Sequence, residues 1–205
     1  MFYDAEKNDH GLPHDPFKAL VAPRPIGWIS TRSPSGQINL APYSYFNALC
    51  DRPKLVFFSS SFGAKDSATF AQESGEFVAN FVSEHIAQHM NATSVDAPRG
   101  VSEFELAGLH EAPCNKVNAP RVAEAYAAIE CKVTQVLVPK TIAQTDAEAV
   151  MVFGQVVGVH IDEAVLTNGL FDVTKARPVS RLGYMDFAVT TTTFSMLRPR
   201  WTGPR

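Results

Sequence analysis

The chain lacks the regular strand–helix alternation from which a parallel sheet is built. Its longest patterned stretches are strands. Ala127 to Val138 alternates apolar and polar residues around Ile129, Cys131, Val133 and Val136. Val150 to Ile161 is almost continuously apolar, the mark of a strand at the centre of a sheet. Arg24 to Thr31 reads as a strand, Ser33-Pro34-Ser35-Gly36 as a turn and Gln37 to Ala41 as its return, with Pro42 ending the ladder because it has no N–H to donate. Lys54 to Ser59 and Glu76 to Val82 add strands, and the threonine run Thr190 to Thr193 adds a further one by β-branching. Helices are short: Asp66 to Glu73, with Asp66 as N-cap, and Glu84 to Asn91. The counts of 14 Phe, 14 Pro and 12 Gly agree with many short elements joined by turns. The expected class is mainly β (α+β), an antiparallel barrel with short peripheral helices. A length of 205 residues suits one domain. Residues 1–18 read as an N-terminal arm, 92–122 as an irregular excursion that covers something, and 190–205 as a C-terminal arm whose Trp201 needs a partner surface.

Charge and cysteine content exclude several roles. A net charge of −3 and a pI near 6.1 provide no basic field for nucleic acid or an anionic membrane. Cys50, Cys114 and Cys131 are far apart and form no CxxC pair, so free thiols in a reducing compartment are expected, with neither a metal ribbon nor a disulfide framework. The polar N-terminus does not read as a signal peptide, and apolar runs such as Leu55-Val56-Phe57-Phe58 have strand length. A cytoplasmic protein is expected.

Two clusters carry binding chemistry. Ser59-Ser60-Ser61-Phe62-Gly63-Ala64-Lys65-Asp66-Ser67 follows a strand and opens a helix. Unpaired helix amides, serine hydroxyls, a permissive Gly63 and the Lys65 charge together suit a phosphate monoester, although the spacing is not that of a nucleotide-triphosphate loop. A polar loop before a capped helix explains the same residues equally well. Asn39-Leu40-Ala41-Pro42-Tyr43-Ser44-Tyr45-Phe46-Asn47 offers aromatic walls and polar groups for a flat heterocycle, while core-filling aromatics are the plainer explanation. His85 and His89 read as a solvated helix face, and Asn80 is a polar residue in a buried-looking strand that must find partners. No nucleophile elbow or framed carboxylate pair appears, so any chemistry belongs to a cofactor.

In this order, Arg24-Pro25-Ile26-Gly27-Trp28-Ile29-Ser30-Thr31, Asn39 to Asn47, Lys65-Asp66-Ser67, Gly75 to Asn80, Gly158 to Asp162 and Pro178 to Tyr184 resemble the flavin reductase-like, FMN-binding split-barrel family. The resemblance runs from about Asp15 to Tyr184. It implies a homodimeric split β-barrel with FMN near the subunit interface and NAD(P)H as co-substrate. Ser30 and Thr31 would lie beside the flavin, Ser44, Tyr45, Phe46 and Asn47 along its ring and ribityl chain, and Ser59, Ser60, Lys65, Asp66 and Ser67 at its phosphate, with Asp66 serving as a helix cap. Arg181 would face the phosphate or the reduced ring, and Tyr184 is a weaker match. Hydride transfer from nicotinamide to flavin N5 needs no obligate side-chain acid, and His160 is the one candidate to orient nicotinamide or a proton. The implied activity is an NAD(P)H-dependent flavin reductase that supplies a partner monooxygenase. The alternatives are a retained FMN acting on another small molecule, a non-enzymatic flavin store, and the same barrel holding pyridoxal phosphate or haem. No ribose-binding fingerprint separates NADH from NADPH.

Overall fold

The structure, a computed structural model, describes residues 1–61 and 65–203. An exposed N-terminal stretch ends in one helical turn, α1 (Phe17–Leu20), and a two-residue strand, β1 (Arg24–Pro25). The hairpin then forms from β2 (Gly27–Arg32) and β3 (Ile38–Tyr43). Its turn closes with Gly36 N–H donating to Ser33 O at 2.9 Å, and Gly36 takes φ +91°, a conformation that favours glycine. Pro42 does not stop this ladder. It sits within β3 opposite Trp28, on an edge strand where the missing N–H faces no partner.

β4 (Phe46–Asp51), which takes in the last two residues of the aromatic-polar segment, pairs with β5 (Lys54–Ser61). Next come α2 (Asp66–Ser74), β6 (Glu76–Asn80), a 3-10 turn (Glu84–Ile86) and α3 (Ala87–Ala92). Three small elements interrupt the excursion: α4 (Glu103–Leu106), β7 (Glu111–Ala112) and β8 (Arg121–Val122). The two long strands are β9 (Ala127–Leu137) and β10 (Ala149–Ile161). A small hairpin, β11 (Leu166–Thr167) and β12 (Leu170–Phe171), precedes α5 (Val173–Ala176), β13 (Val179–Arg181) and β14 (Phe187–Val189). The threonine run forms no strand: β14 ends at Val189, and the Thr190 N–H donates back to Pro178 O.

Seven strands form one antiparallel sheet in the order β3-β2-β6-β9-β10-β5-β4. Its two edge strands, β3 and β4, are joined by Ser44 and Tyr45 alone. In a flat sheet those edges would stand about 29 Å apart, at about 4.8 Å per strand. The connection can reach at most about 11 Å. The sheet must therefore curl until its edges meet at Ser44–Tyr45 without pairing, which leaves a barrel split at that seam.

The barrel interior is filled by Ile29, Phe58, Phe77, Cys131 and Val152, with Ala68 and Ala71 of α2 plugging one end. Phe58 stacks within 5.1 Å of Tyr43 and 5.2 Å of Phe77, centroid to centroid. Gly154 is required where it is, since a Cβ there would stand 2.5 Å from the Phe77 ring. A second core lies outside the barrel, where Trp28 and Leu40 pack against Ile86, Met90, Phe104 and Val122. That is what the excursion covers. Buried polar groups tie it down: Glu103 accepts from Leu40 N (2.9 Å), Glu130 from the amides of Asn115, Lys116 and Val117, and Asn80 from Val122 N (2.8 Å). Asn80 therefore finds its partners within the chain.

Candidate functional site

The seam of the barrel opens into two cavities that share Pro42 and Ser94 in their walls. One, of about 230 Å³, lies at the start of α2 and is walled by Tyr43, Ser60, Lys65, Ser67, Asp96 and Glu103 among others. The other, of about 370 Å³, lies beside Ser44 and Tyr45 and takes Lys18, Arg24, Arg181, Tyr184 and Phe187. Both exist because the curl brings the ends of β3 and β5, the start of α2 and the β1–β13 pair to one seam.

The first cavity gathers one cation, Lys65, three carboxylates, several hydroxyls and the start of α2. α2 begins after Lys65, whose extended backbone is that of an N-cap residue, yet no side chain among the described residues caps the helix. Asp66 is not the cap. It is the first helical residue, and its carboxylate accepts from Arg99 Nε (2.9 Å) and Nη2 (2.7 Å), because a cation across the loop outcompetes the local amides. Ser60 Oγ is buried beside the Tyr43 phenol and makes no hydrogen bond of good geometry among the described residues. Ser67 Oγ donates to Asn39 Oδ1. Burial pushes the Tyr43 phenol above its usual pKa, against the pull of the Ser67 and Ser60 hydroxyls and of Lys65. Lys65 Nζ donates to Asp96 Oδ1 at 2.9 Å, which raises the ammonium pKa and lowers that of the carboxyl. Glu103 is buried, and burial holds its pKa up against the donors Leu40 N and Asn39 Nδ2.

The second cavity is flatter in chemistry and carries cations. Arg24 and Arg181 stand directly opposite each other in the β1–β13 pair, an arrangement of like charges that costs stability unless something compensates. Arg24 partly answers this by donating to three carbonyls, including Leu182 O at 2.9 Å, but its buried Nε has no partner. Arg181 lies over the Phe187 ring at 4.4 Å and donates to Tyr184 O. The described residues lining this cavity include no carboxylate.

Of the residues singled out from sequence, Ser60, Lys65, Asp66 and Ser67 meet in the first cavity, and Ser44, Tyr45 and Arg181 in the second. Phe46 and Asn47 border a third depression on the far side of Arg24, where Phe46 packs on Gly27. Ser59 lies on the face of β5 opposite to Ser60 and holds the seam instead, its N–H donating to Tyr45 O at 2.8 Å. Ser30 and Thr31 line neither cavity: both are buried, and Ser30 Oγ donates to Pro120 O under the excursion. Phe62, Gly63 and Ala64 lie outside the described residues. His85 stacks on Tyr126 and His89 bonds Ala107 O, so both serve the fold.

His160 stands apart from this site within the chain. Val150 faces Ser60, and the ten residues from there to His160 span roughly 33 Å of β10. Its Nε2 bonds Glu130 Oε1 at 2.6 Å. Burial pushes the Glu130 carboxyl up, but the Asn115 and Lys116 amides and His160 outweigh it and hold its pKa low. Cys114 is near enough to join them in a ligand-like cluster, with atoms within 4.8 Å. The Glu130 oxygens are already spent on four donors, however, and burial pushes the thiol up to about 11. The sequence reading missed Lys18, Ser94, Asp96 and Glu103. They come from segments with no local signature, and only the curl of the barrel and the fold of the excursion bring them to the seam.

The family described as "flavin reductase like domain" matches residues 20–180. The chain belongs to this family. An uncharacterized protein of Halalkalibacterium halodurans is 36% identical over 183 residues, 87% of each chain. The solved structure of nitrilotriacetate monooxygenase component B from Bacillus cereus superposes with a TM-score of 0.85 at 28% identity, covering 96% of this chain and 98% of that one. The 2-nitrobenzoate 2-nitroreductase of Pseudomonas fluorescens gives 0.83 at 26% identity, covering 97% and 96%. The fold is thus the flavin reductase-like split barrel, and the family is one of oxidoreductases. The site fits the flavin mononucleotide such a family implies. The buried Ser60 hydroxyl, the start of α2, which no described side chain caps, and Lys65 suit a phosphate, while the aromatic and cationic second cavity suits a flat ring that gains negative charge on reduction. Among the described residues, no helix is long and apolar enough to cross a membrane.

Proposed function

We propose that the protein is an NAD(P)H-dependent FMN reductase, a single flavin-binding domain that works as a cytoplasmic homodimer and hands reduced flavin to a partner monooxygenase. The observation that carries this reading is the joining of a phosphate-sized polar cavity to a cationic, aromatic one through Pro42 and Ser94. Bound FMN supplies a ring that accepts a hydride from reduced nicotinamide. The chain's own share is grip and field. Ser60, Ser67, Lys65 and the α2 amides hold the phosphate, Ser44 and Tyr45 flank the ring, and Arg181 places positive charge where negative charge develops. No proton donor among the side chains is required. The solved neighbour from Bacillus cereus is by name a monooxygenase component, which supports a downstream oxygenase. The dimer rests on β10, an interior strand that nonetheless leaves Val159 55% and Ile161 45% exposed, an apolar face suited to a second copy.

The test is a visible spectrum of the FMN-loaded protein, followed under argon as NADH and then NADPH is added. Rapid bleaching with either nucleotide, followed by loss of flavin on gel filtration, is the expected result. An oxidised spectrum that persists under excess of both nucleotides rejects the reading. One observation favours a second function. The ring-side cavity, with Lys18, Arg24 and Arg181, also suits a small aromatic anion as acceptor, in keeping with the named substrate of the nitroreductase neighbour. That reading requires the flavin to stay with the protein through gel filtration after reduction.

A further inference from the structure

Lys65 is the only cation among the described residues that wall the phosphate-side cavity. Three carboxylates share that wall, and each has a partner. Glu103 accepts from Asn39 Nδ2 and Leu40 N, groups held by the fold. Asp66 accepts two hydrogen bonds from Arg99, which also lies over the Phe70 ring at 5.7 Å. Asp96 accepts from Lys65 itself, at 2.9 Å. Two of the three acids therefore engage groups a phosphate does not need, and the third occupies the one charge that it does.

We propose that Asp96 is a built-in competitor for the flavin phosphate, a residue that sets how readily FMN exchanges. This inference rests on the flavin reading above. The phosphate enters by taking Lys65 from Asp96. The Asp96 side chain is 91% exposed, so the pair is weak and the carboxylate turns to water at little cost. The neighbouring tether survives, because the Arg99–Asp66 pair keeps Asp66 only 18% exposed and makes two hydrogen bonds. The segment over the cavity therefore stays anchored at Arg99 while its Asp96 end yields. When the phosphate leaves, Asp96 returns to Lys65. A reductase that releases its reduced flavin needs this kind of moderated grip, in which like charge at the wall opposes the very charge that the lysine attracts.

The test is a titration of wild type, Asp96→Asn and Asp96→Glu with FMN and, separately, with riboflavin, read by quenching of flavin fluorescence. Asp96→Asn should bind FMN about two- to fivefold more tightly and release it correspondingly more slowly. Riboflavin, which has no phosphate, should bind that variant as it binds wild type, and Asp96→Glu should resemble wild type with both ligands. Equal or weaker FMN binding by Asp96→Asn overturns the proposal and leaves the flavin reading standing. Equal tightening for riboflavin also overturns it, because the effect would then come from the loop and not from charge at the phosphate. Failure of wild type to take up either flavin removes the flavin reading and this proposal together.

Discussion

Two helices of this molecule begin in opposite ways. α5 closes its own start: the Asp172 carboxylate accepts from the amides of Thr174 and Lys175 and from the Thr174 hydroxyl, and these contacts with Thr167 hold its pKa at about 2. α2 is left open. Its N-cap position is Lys65, no side chain among the described residues caps it, and the nearest acid, Asp66, is drawn off by Arg99. A helix start that only has to fold satisfies itself with a carboxylate two or three residues away. A start that is to take an anion from outside must forgo that cap, and here the Ser60 hydroxyl in the adjoining wall is also buried with no hydrogen bond of good geometry among the described residues. The price of the binding function is visible as missing local stabilisation.

The contrast can be broken most severely by giving α2 the cap it lacks. Lys65→Ser places a good capping side chain at a backbone already extended, and removes the cation. FMN affinity should fall roughly tenfold to a hundredfold while riboflavin affinity holds, and the flavin-free protein should gain about 1 kcal/mol from the new cap. Paired fluorescence titrations and thermal melts report both effects. A variant that lost affinity for both flavins equally would show that the phosphate does not bind at α2.

Ser60→Ala sharpens the same comparison with a smaller change. Removing a buried hydroxyl that makes no hydrogen bond of good geometry among the described residues should stabilise the flavin-free protein by up to about 1 kcal/mol, yet weaken FMN binding several-fold. A loss of thermal stability in the apo protein would mean that the hydroxyl is satisfied within the fold, and would remove one leg of the phosphate site.

The mildest effect is expected at the closed end. Asp172→Asn should lower the melting temperature at neutral pH. Because the folded-state pKa is depressed from 3.8 to about 2, the stabilisation is present above the ordinary value and is lost as pH falls through that interval. Melts of the two proteins should therefore converge between about pH 4 and pH 2. Curves that stay parallel down to pH 2 would show that the carboxylate charge contributes nothing to the cap. FMN affinity at pH 7 should be the same in both, since Asp172 lies in neither cavity.

Much of this was legible in the chain, and the rest was not, for reasons that differ by element. The strands at Gly27–Arg32, Lys54–Ser61, Glu76–Asn80, Ala127–Leu137 and Ala149–Ile161 announce themselves because apolar patterning and turn residues are local signals. β4 does not, since Phe46, Asn47 and the residues after them are mostly exposed on an edge and carry no alternation. Thr190 to Thr193 carries strand propensity but finds no neighbouring strand to pair with, so the propensity is not realised. Asp66 has the composition of a cap but is one residue too late, and a distant arginine decides its partner. Ser30 and Thr31 belong to the resemblance, yet the register of β2 directs them beneath the excursion and α2.

By itself the amino-acid order settled the antiparallel class and marked the runs Ser59 to Ser67 and Asn39 to Asn47 as polar and aromatic clusters, because each depends on residues close in the chain. Tertiary structure alone decided that those two segments border adjoining cavities, that Arg24 and Arg181 sit side by side in the β1–β13 pair, and that Asp96 holds Lys65. The reason is closure: a two-residue link between the edge strands of a seven-stranded sheet forces the sheet to curl, and only the curl brings residues distant in sequence to the seam.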